Sequence, residues 1–105
     1  MTAVETGVKP ATAEVCAVLR RAADRLAGLP HARVGRVDLY IALRKSGSDS
    51  YPAAQAALGV LIAHLPASSG DNLWVHHYSV LRRRQDAVAA MRAAADAAEK
   101  AQVSA

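Results

Sequence analysis

The sequence predicts an all-α protein, a small bundle of three to four helices whose last member is rich in alanine. Three observations carry this expectation. Apolar residues recur at three- and four-residue spacing from Val15 to Leu26, a nearly unbroken apolar run follows Pro52, and neither glycine nor proline occurs from Asp71 to Ala105. A chain of 105 residues holds one small domain. That domain is expected over 12–105, behind a flexible tail at 1–11 built of small and polar residues with Gly7 and Pro10. The hydrophobic fraction is 52%, but 25 residues are alanine and there are only one Trp, three Tyr and no Phe, so the core must be thin.

Thr12 is placed to cap the first helix, whose inner stripe is Val15, Leu19, Ala22 and Leu26, and Gly28-Leu29-Pro30 has the form of a Schellman stop. Arg20 and Asp24 sit at i,i+4 on its expected wet face, while Arg21 and Arg25 are like charges at the same spacing. The stretch 36–45 fits two patterns. Val37, Leu39, Ile41 and Leu43 alternate as in a strand, whereas Val37, Tyr40, Ile41 and Arg44 fit a helix opened by Asp38. A strand there would need 73–80 as its partner to satisfy its backbone, and the helix is favoured.

Residues 46–52, SGSDSYP, read as a loop in which Asp49 or Ser50 caps a third helix over 51–65 with Pro52 in its first turn. That helix is apolar on nearly every side and is expected to be central. Pro66 ends it, and 67–72 read as a turn. The last helix either runs from about 72 to 102 or starts at Ser79, with Leu73, His77, Val80, Leu81, Arg84, Val88, Met91, Ala95 and Ala98 near one stripe. Alanine fills nine of residues 87–101, which favours helix but offers little area to bury. Arg92, Asp96 and Lys100 mark its wet side.

Thirteen Lys and Arg against nine Asp and Glu give +4. Ten of the thirteen are arginine, a bias that GC-rich codons produce together with alanine, so net charge alone does not name a partner. The charge is nevertheless concentrated in two places, 31–48 and 82–105. A single Cys excludes an internal disulfide, no basic-then-apolar leader opens the sequence, and the stretch 53–65 is too short to span a bilayer needing about 20 apolar residues. A cytoplasmic protein without membrane contact is expected.

Catalytic and metal chemistry finds little footing. Cys16 lies between Val15 and Ala17 with no local base and reads as a small buried hydrophobe. His31, His64, His76 and His77 lack the spacing of a metal site, and His76 and His77 read as part of a partly exposed aromatic cluster with Trp74 and Tyr78. No phosphate loop, nucleophile elbow or zinc-protease pattern occurs, and Ser69-Gly70-Asp71 reads as a turn and cap. No catalytic residue, metal or cofactor is therefore assigned.

Arg82-Arg83-Arg84 invites a phosphate reading. On a helix, though, three consecutive residues fan over about 200°. If the helix starts at Ser79, three cations in its first turn oppose the macrodipole, a hint of an anionic partner, with an Arg82–Asp86 pair as the plain alternative. A helix-turn-helix over 38–65 fails because its second helix offers only Gln55 and His64 to read bases.

Val18-Leu19-Arg20-Arg21-Ala22-Ala23-Asp24, Ala56-Ala57-Leu58, Trp74 and the helix from Val88 to Ala98 together resemble a family of small actinobacterial and actinophage proteins of unknown function. The resemblance spans about three quarters of the chain and rests on Ala and Arg patterns that biased composition also produces. It departs from the family where Trp74-Val75-His76 replaces Trp-Asn-Asp and where the middle helix has no Cys. What it implies is a mostly helical fold and a phage or actinobacterial origin, with no activity attached.

The leading expectation is a helical interaction protein, self-associating and meeting a protein partner through Trp74, Tyr78, Val88 and Met91, although Trp74, the one Trp of a chain without Phe, reads first as part of the chain's own core. The alternative is a nucleic-acid-associated protein that sets Arg33, Arg36, Arg44, Lys45, Arg82, Arg83 and Arg84 on phosphates without reading sequence.

Overall fold

The computed structural model describes residues 11–47, 51–65 and 77–104. Four α-helices account for most of them: α1 (Thr12–Ala27), α2 (Arg36–Ser46), α3 (Tyr51–His64) and α4 (Arg84–Ser104), with a π-helical turn at His77–Leu81 ahead of α4. The fold is all-α. The ambiguous stretch at 36–45 is a helix, and the only β-type pairing among the described residues is an isolated antiparallel bridge between Arg33 and Arg83. Of the tail expected at 1–11, only Ala11 is described, and the caps at Asp49 and Ser50, Pro66 and the 67–72 turn fall outside the described residues.

The hub is α1, which packs on α4, α2 and α3 and contributes Val15, Cys16, Val18, Leu19, Ala22, Ala23 and Leu26 to the core. This corrects the central role expected of α3. Only Ala53, Ala54, Ala57 and Leu61 of α3 are buried, and Gly59 faces open space, with nothing within 4 Å of where a Cβ would stand. Its uniform apolarity reflects residues that are half covered at the flank of the bundle, such as Leu58, Val60 and Ile62. No helix among the described residues is long and apolar enough to cross a membrane.

Helices α1 and α4 are antiparallel, and the ion pairs show it: Arg20 meets Asp96 at 2.8 Å, while Asp24, one turn further along α1, meets Arg92 at 3.0 Å, one turn back on α4. Charges expected to pair along each helix pair across the two instead, and Arg20 also reaches Glu99 at 3.3 Å. These carboxylates raise the Arg20 pKa. Beneath them Ala22 and Ala23 of α1 and Ala87, Ala94 and Ala95 of α4 are all buried in the core. Small side chains let the backbones approach so closely that the Cys16 thiol donates to the Ala95 carbonyl at 3.3 Å.

Local signals were partly misassigned. Thr12 is the first residue of α1 rather than its cap, and Ala11 occupies the cap position without a side-chain bond. The stop falls at Gly28 as expected, but its φ of −86° is right-handed, so the chain leaves through a tight last turn and Pro30 rather than a Schellman glycine. Helix α2 starts at Arg36, two residues before Asp38, whose carboxylate reaches back to accept the Gly35 N–H at 2.8 Å. At the other end of α2 the Arg21 guanidinium donates twice to the Ser46 carbonyl, at 3.2 and 3.0 Å, a cationic cap on a helix C-terminus.

Candidate functional site

The last helix begins at Arg84, not at Ser79 or residue 72, because the chain ahead of it is used differently. The π turn drives Leu81 into the core, and the next residues extend to pair with 32–34: Val34 N–H donates to the Arg82 carbonyl at 3.0 Å, and Arg84 N–H to the Ala32 carbonyl at 2.7 Å. Val34 turns inward and is buried, which sends Arg33 outward by strand alternation. His77, buried at the start of the π turn, donates from Nε2 to the Val34 carbonyl at 2.7 Å and secures the same segment. His77 is thus a core tether rather than part of a partly exposed cluster. The His31 ring likewise donates from Nδ1 to the Arg33 carbonyl, at 2.5 Å.

The two flanking bonds make Arg33 and Arg83 a non-hydrogen-bonded antiparallel pair, the arrangement in which opposed side chains come closest and like charges oppose each other. Two cationic stretches far apart in sequence therefore meet. Arg82 and Arg83 precede the helix, so the helical fan expected of Arg82, Arg83 and Arg84 does not occur. The Arg84 guanidinium donates to the Leu29 carbonyl, which pins its position beside the bridge.

Ala32, Arg33, Arg83, Arg84 and Gln85 line an open cleft of about 310 Å³. Its back wall is the N-terminus of α4, where the Arg83 carbonyl accepts the first helical bond, from Ala87 N–H at 2.9 Å. An arginine at this cap position offers no acceptor, and the Gln85 and Asp86 N–H groups find none among the described residues. Nor does the expected Arg82–Asp86 pair form: among the described residues Arg33, Arg82 and Arg83 have no carboxylate partner. The cleft is lined by two arginines at opposed backbone positions, a third arginine tied to the Leu29 carbonyl, an amide and two unclaimed backbone donors. Such a set can hold a phosphate-like anion and has no base or nucleophile with which to transform it.

A second hollow, of about 300 Å³, lies between α2 and α3 and is lined by Tyr40, Leu43, Arg44, Tyr51, Ala54, Gln55 and Leu58. The Arg44 guanidinium stands 5.3 Å from the Tyr51 ring centroid, and Gln55 donates to the Tyr51 hydroxyl. The helical stripe expected from Val37, Tyr40, Ile41 and Arg44 exists, but it faces solvent, while Leu39, Ala42, Leu43 and Ser46 face the core. Arg36 and Lys45 stand on the same helix, Arg36 half-buried and Lys45 exposed.

The residues expected to meet a partner are placed otherwise. Met91 is 0% exposed and Val88 8%, so both are spent on the chain's own core, covered by neighbouring helices. Trp74 and the side chain of Tyr78 lie outside the described residues, as does His76. Cys16 is buried and its thiol pKa is raised, above all by burial, which keeps it protonated under Ala95. No group of three or more His, Cys, Asp or Glu close enough to hold a metal occurs among the described residues. Sequence reasoning singled out the arginines of the cleft but not their meeting, and it missed Tyr51 and Gln85 altogether. No family model, no curated protein and no solved structure matches this chain.

Proposed function

We propose that this protein is a non-catalytic polyanion-binding module that associates with nucleic-acid phosphates without reading base sequence. One observation carries the reading: Arg33 and Arg83 are held directly opposite each other, without carboxylate partners among the described residues, over the N-terminus of α4. Like charges in that position cost stability unless something negative sits between them. The sequence departs here from local preference, with Arg84 beside Asp86 in the first turn of α4 and arginine at the cap position where a helix favours an acceptor. A phosphate satisfies all of these departures together. The lone thiol, kept buried and protonated, fits the reducing interior of a cell.

The test is fluorescence anisotropy of labelled oligonucleotides of several sequences, titrated at a series of salt concentrations. Three arginines each neutralising one phosphate give a log–log slope of about −2 on a single strand, and Arg33→Gln with Arg83→Gln reduces it to about −0.7. An unchanged affinity and slope in the double variant would remove the cleft from the reading.

A second reading is favoured by Val37 and Ile41, apolar residues left 67% and 46% exposed on α2. On that reading the chain works through protein contact, by self-association or with another protein, on the face of α2 rather than through Val88 and Met91. Sedimentation of Ile41→Glu against the parent checks it: a smaller species in the variant supports contact through α2, and identical monomers count against self-association there.

A further inference from the structure

We infer that the anion cleft continues along α2 into a track selective for single-stranded nucleic acid, with Tyr40 and Tyr51 as the surface on which bases stack. This rests on the phosphate-binding reading above and adds the form of nucleic acid. Helix α2 starts at Arg36, three residues after Arg33, so the chain passes from the cleft's lining into the helix within one short step. Arg36, Tyr40 and Arg44 follow one another at i,i+4 spacing, about 6 Å per step along the axis, giving cation, ring and cation in a row. The row ends at the α2–α3 hollow, where Tyr51 joins Tyr40 and Arg44.

Two of the three tyrosines of a chain without phenylalanine are thus left about half exposed, at 45% and 53%, although the core is short of large side chains. Aromatic faces beside a cationic path are what unstacked bases need. A duplex has no use for them, since its bases are stacked inside and its phosphates would meet the apolar flanks of the track without compensation. Among the described residues the one acid of α2, Asp38, is about 160° from Tyr40 around the helix and is engaged with the Gly35 N–H. Leu43 and Leu58 floor the hollow, and Gln55 adds an amide able to meet a base edge.

The experiment compares four probes on the full chain by anisotropy: labelled oligothymidylate, an abasic strand of equal length, a duplex, and polyglutamate. Oligothymidylate is expected to bind most tightly, and Tyr40→Ala or Tyr51→Ala to weaken it by about 5- to 100-fold while leaving the abasic strand unchanged. Tyr40→Phe retains binding, and unchanged melting temperatures establish that the exposed substitutions leave the fold intact. Equal binding of oligothymidylate, abasic strand and duplex, all weakened by Arg83→Gln, would overturn the stacking track and keep the phosphate cleft. Polyglutamate binding as tightly as oligothymidylate would overturn both in favour of an acidic protein partner, and no binding of any probe would overturn both outright.

Discussion

Met91→Ala separates a core residue from a contact residue. Met91 is fully buried between α4 and its neighbours, in a core whose largest enclosed side chains are few: Leu19, Leu26, Leu39, Leu61 and Leu81 beside it. Truncating a buried Met to Ala costs about 2–5 kcal/mol, the sum of lost transfer energy and the cavity left behind. The whole fold of a chain this size is held by about 5–15 kcal/mol. With about 4–8 °C per kcal/mol for a domain near 100 residues, the melting temperature should fall by roughly 8–40 °C. Thermal unfolding followed by circular dichroism, repeated across protein concentrations, measures it, and the fall should not depend on concentration. If Met91→Ala melted within about 2 °C of the parent at high dilution and differed only in self-association, Met91 would be facing a second copy and the packing described above would be wrong. For the same reason Met91→Glu does not report on assembly, because a buried, unpaired carboxylate unfolds the monomer first.

Two further perturbations probe the seam and the flank. Cys16 should resist thiol reagents in native buffer and react as denaturant opens the chain; labelling as fast in buffer as in denaturant would contradict its burial under Ala95. Because the folded thiol's pKa is raised above the ordinary 9.0, the unfolded chain loses its proton first, so this group's contribution to stability is intact below pH 9.0 and declines as the pH climbs past it. On α3, Gly59→Ala places a methyl in open space at a helix interior and should stabilise by about 0.5–1 kcal/mol, visible as a higher melting temperature. A lower one would mean that something covers this face.

Much of the fold was legible because it depends on periodicity. The inner stripe of α1, Val15, Leu19, Ala22 and Leu26, was read directly, and the stop at Gly28 was placed correctly even though its geometry was not. Reading failed where two helix faces are both apolar. Along α2 the exposed residues Val37, Tyr40 and Ile41 are as hydrophobic as the buried Leu39, Ala42 and Leu43, so the pattern gave a helix but not its inward side. Charge pairing failed for a related reason: Arg20 and Asp24 look complete at i,i+4, and only the antiparallel placement of α4 brings Asp96 and Arg92 closer to them. The meeting of Arg33 with Arg83 depends on a backbone bridge between residues fifty positions apart, which no local spacing encodes.

The pairing of α1 with α4 also sets how this chain must fold. Helical bundles usually fold fast because their contacts join neighbours in sequence. Here the broadest interface joins helices whose touching residues are 68 to 79 positions apart, as between Asp24 and Arg92 or Cys16 and Ala95. The entropy of closing that loop must be spent before the seam returns anything, although each doubling of loop length adds only about 0.6 kcal/mol. Until closure the inner stripe of α1 has only α2 and α3 to lean on, so the two ends of the described chain depend on each other for burial.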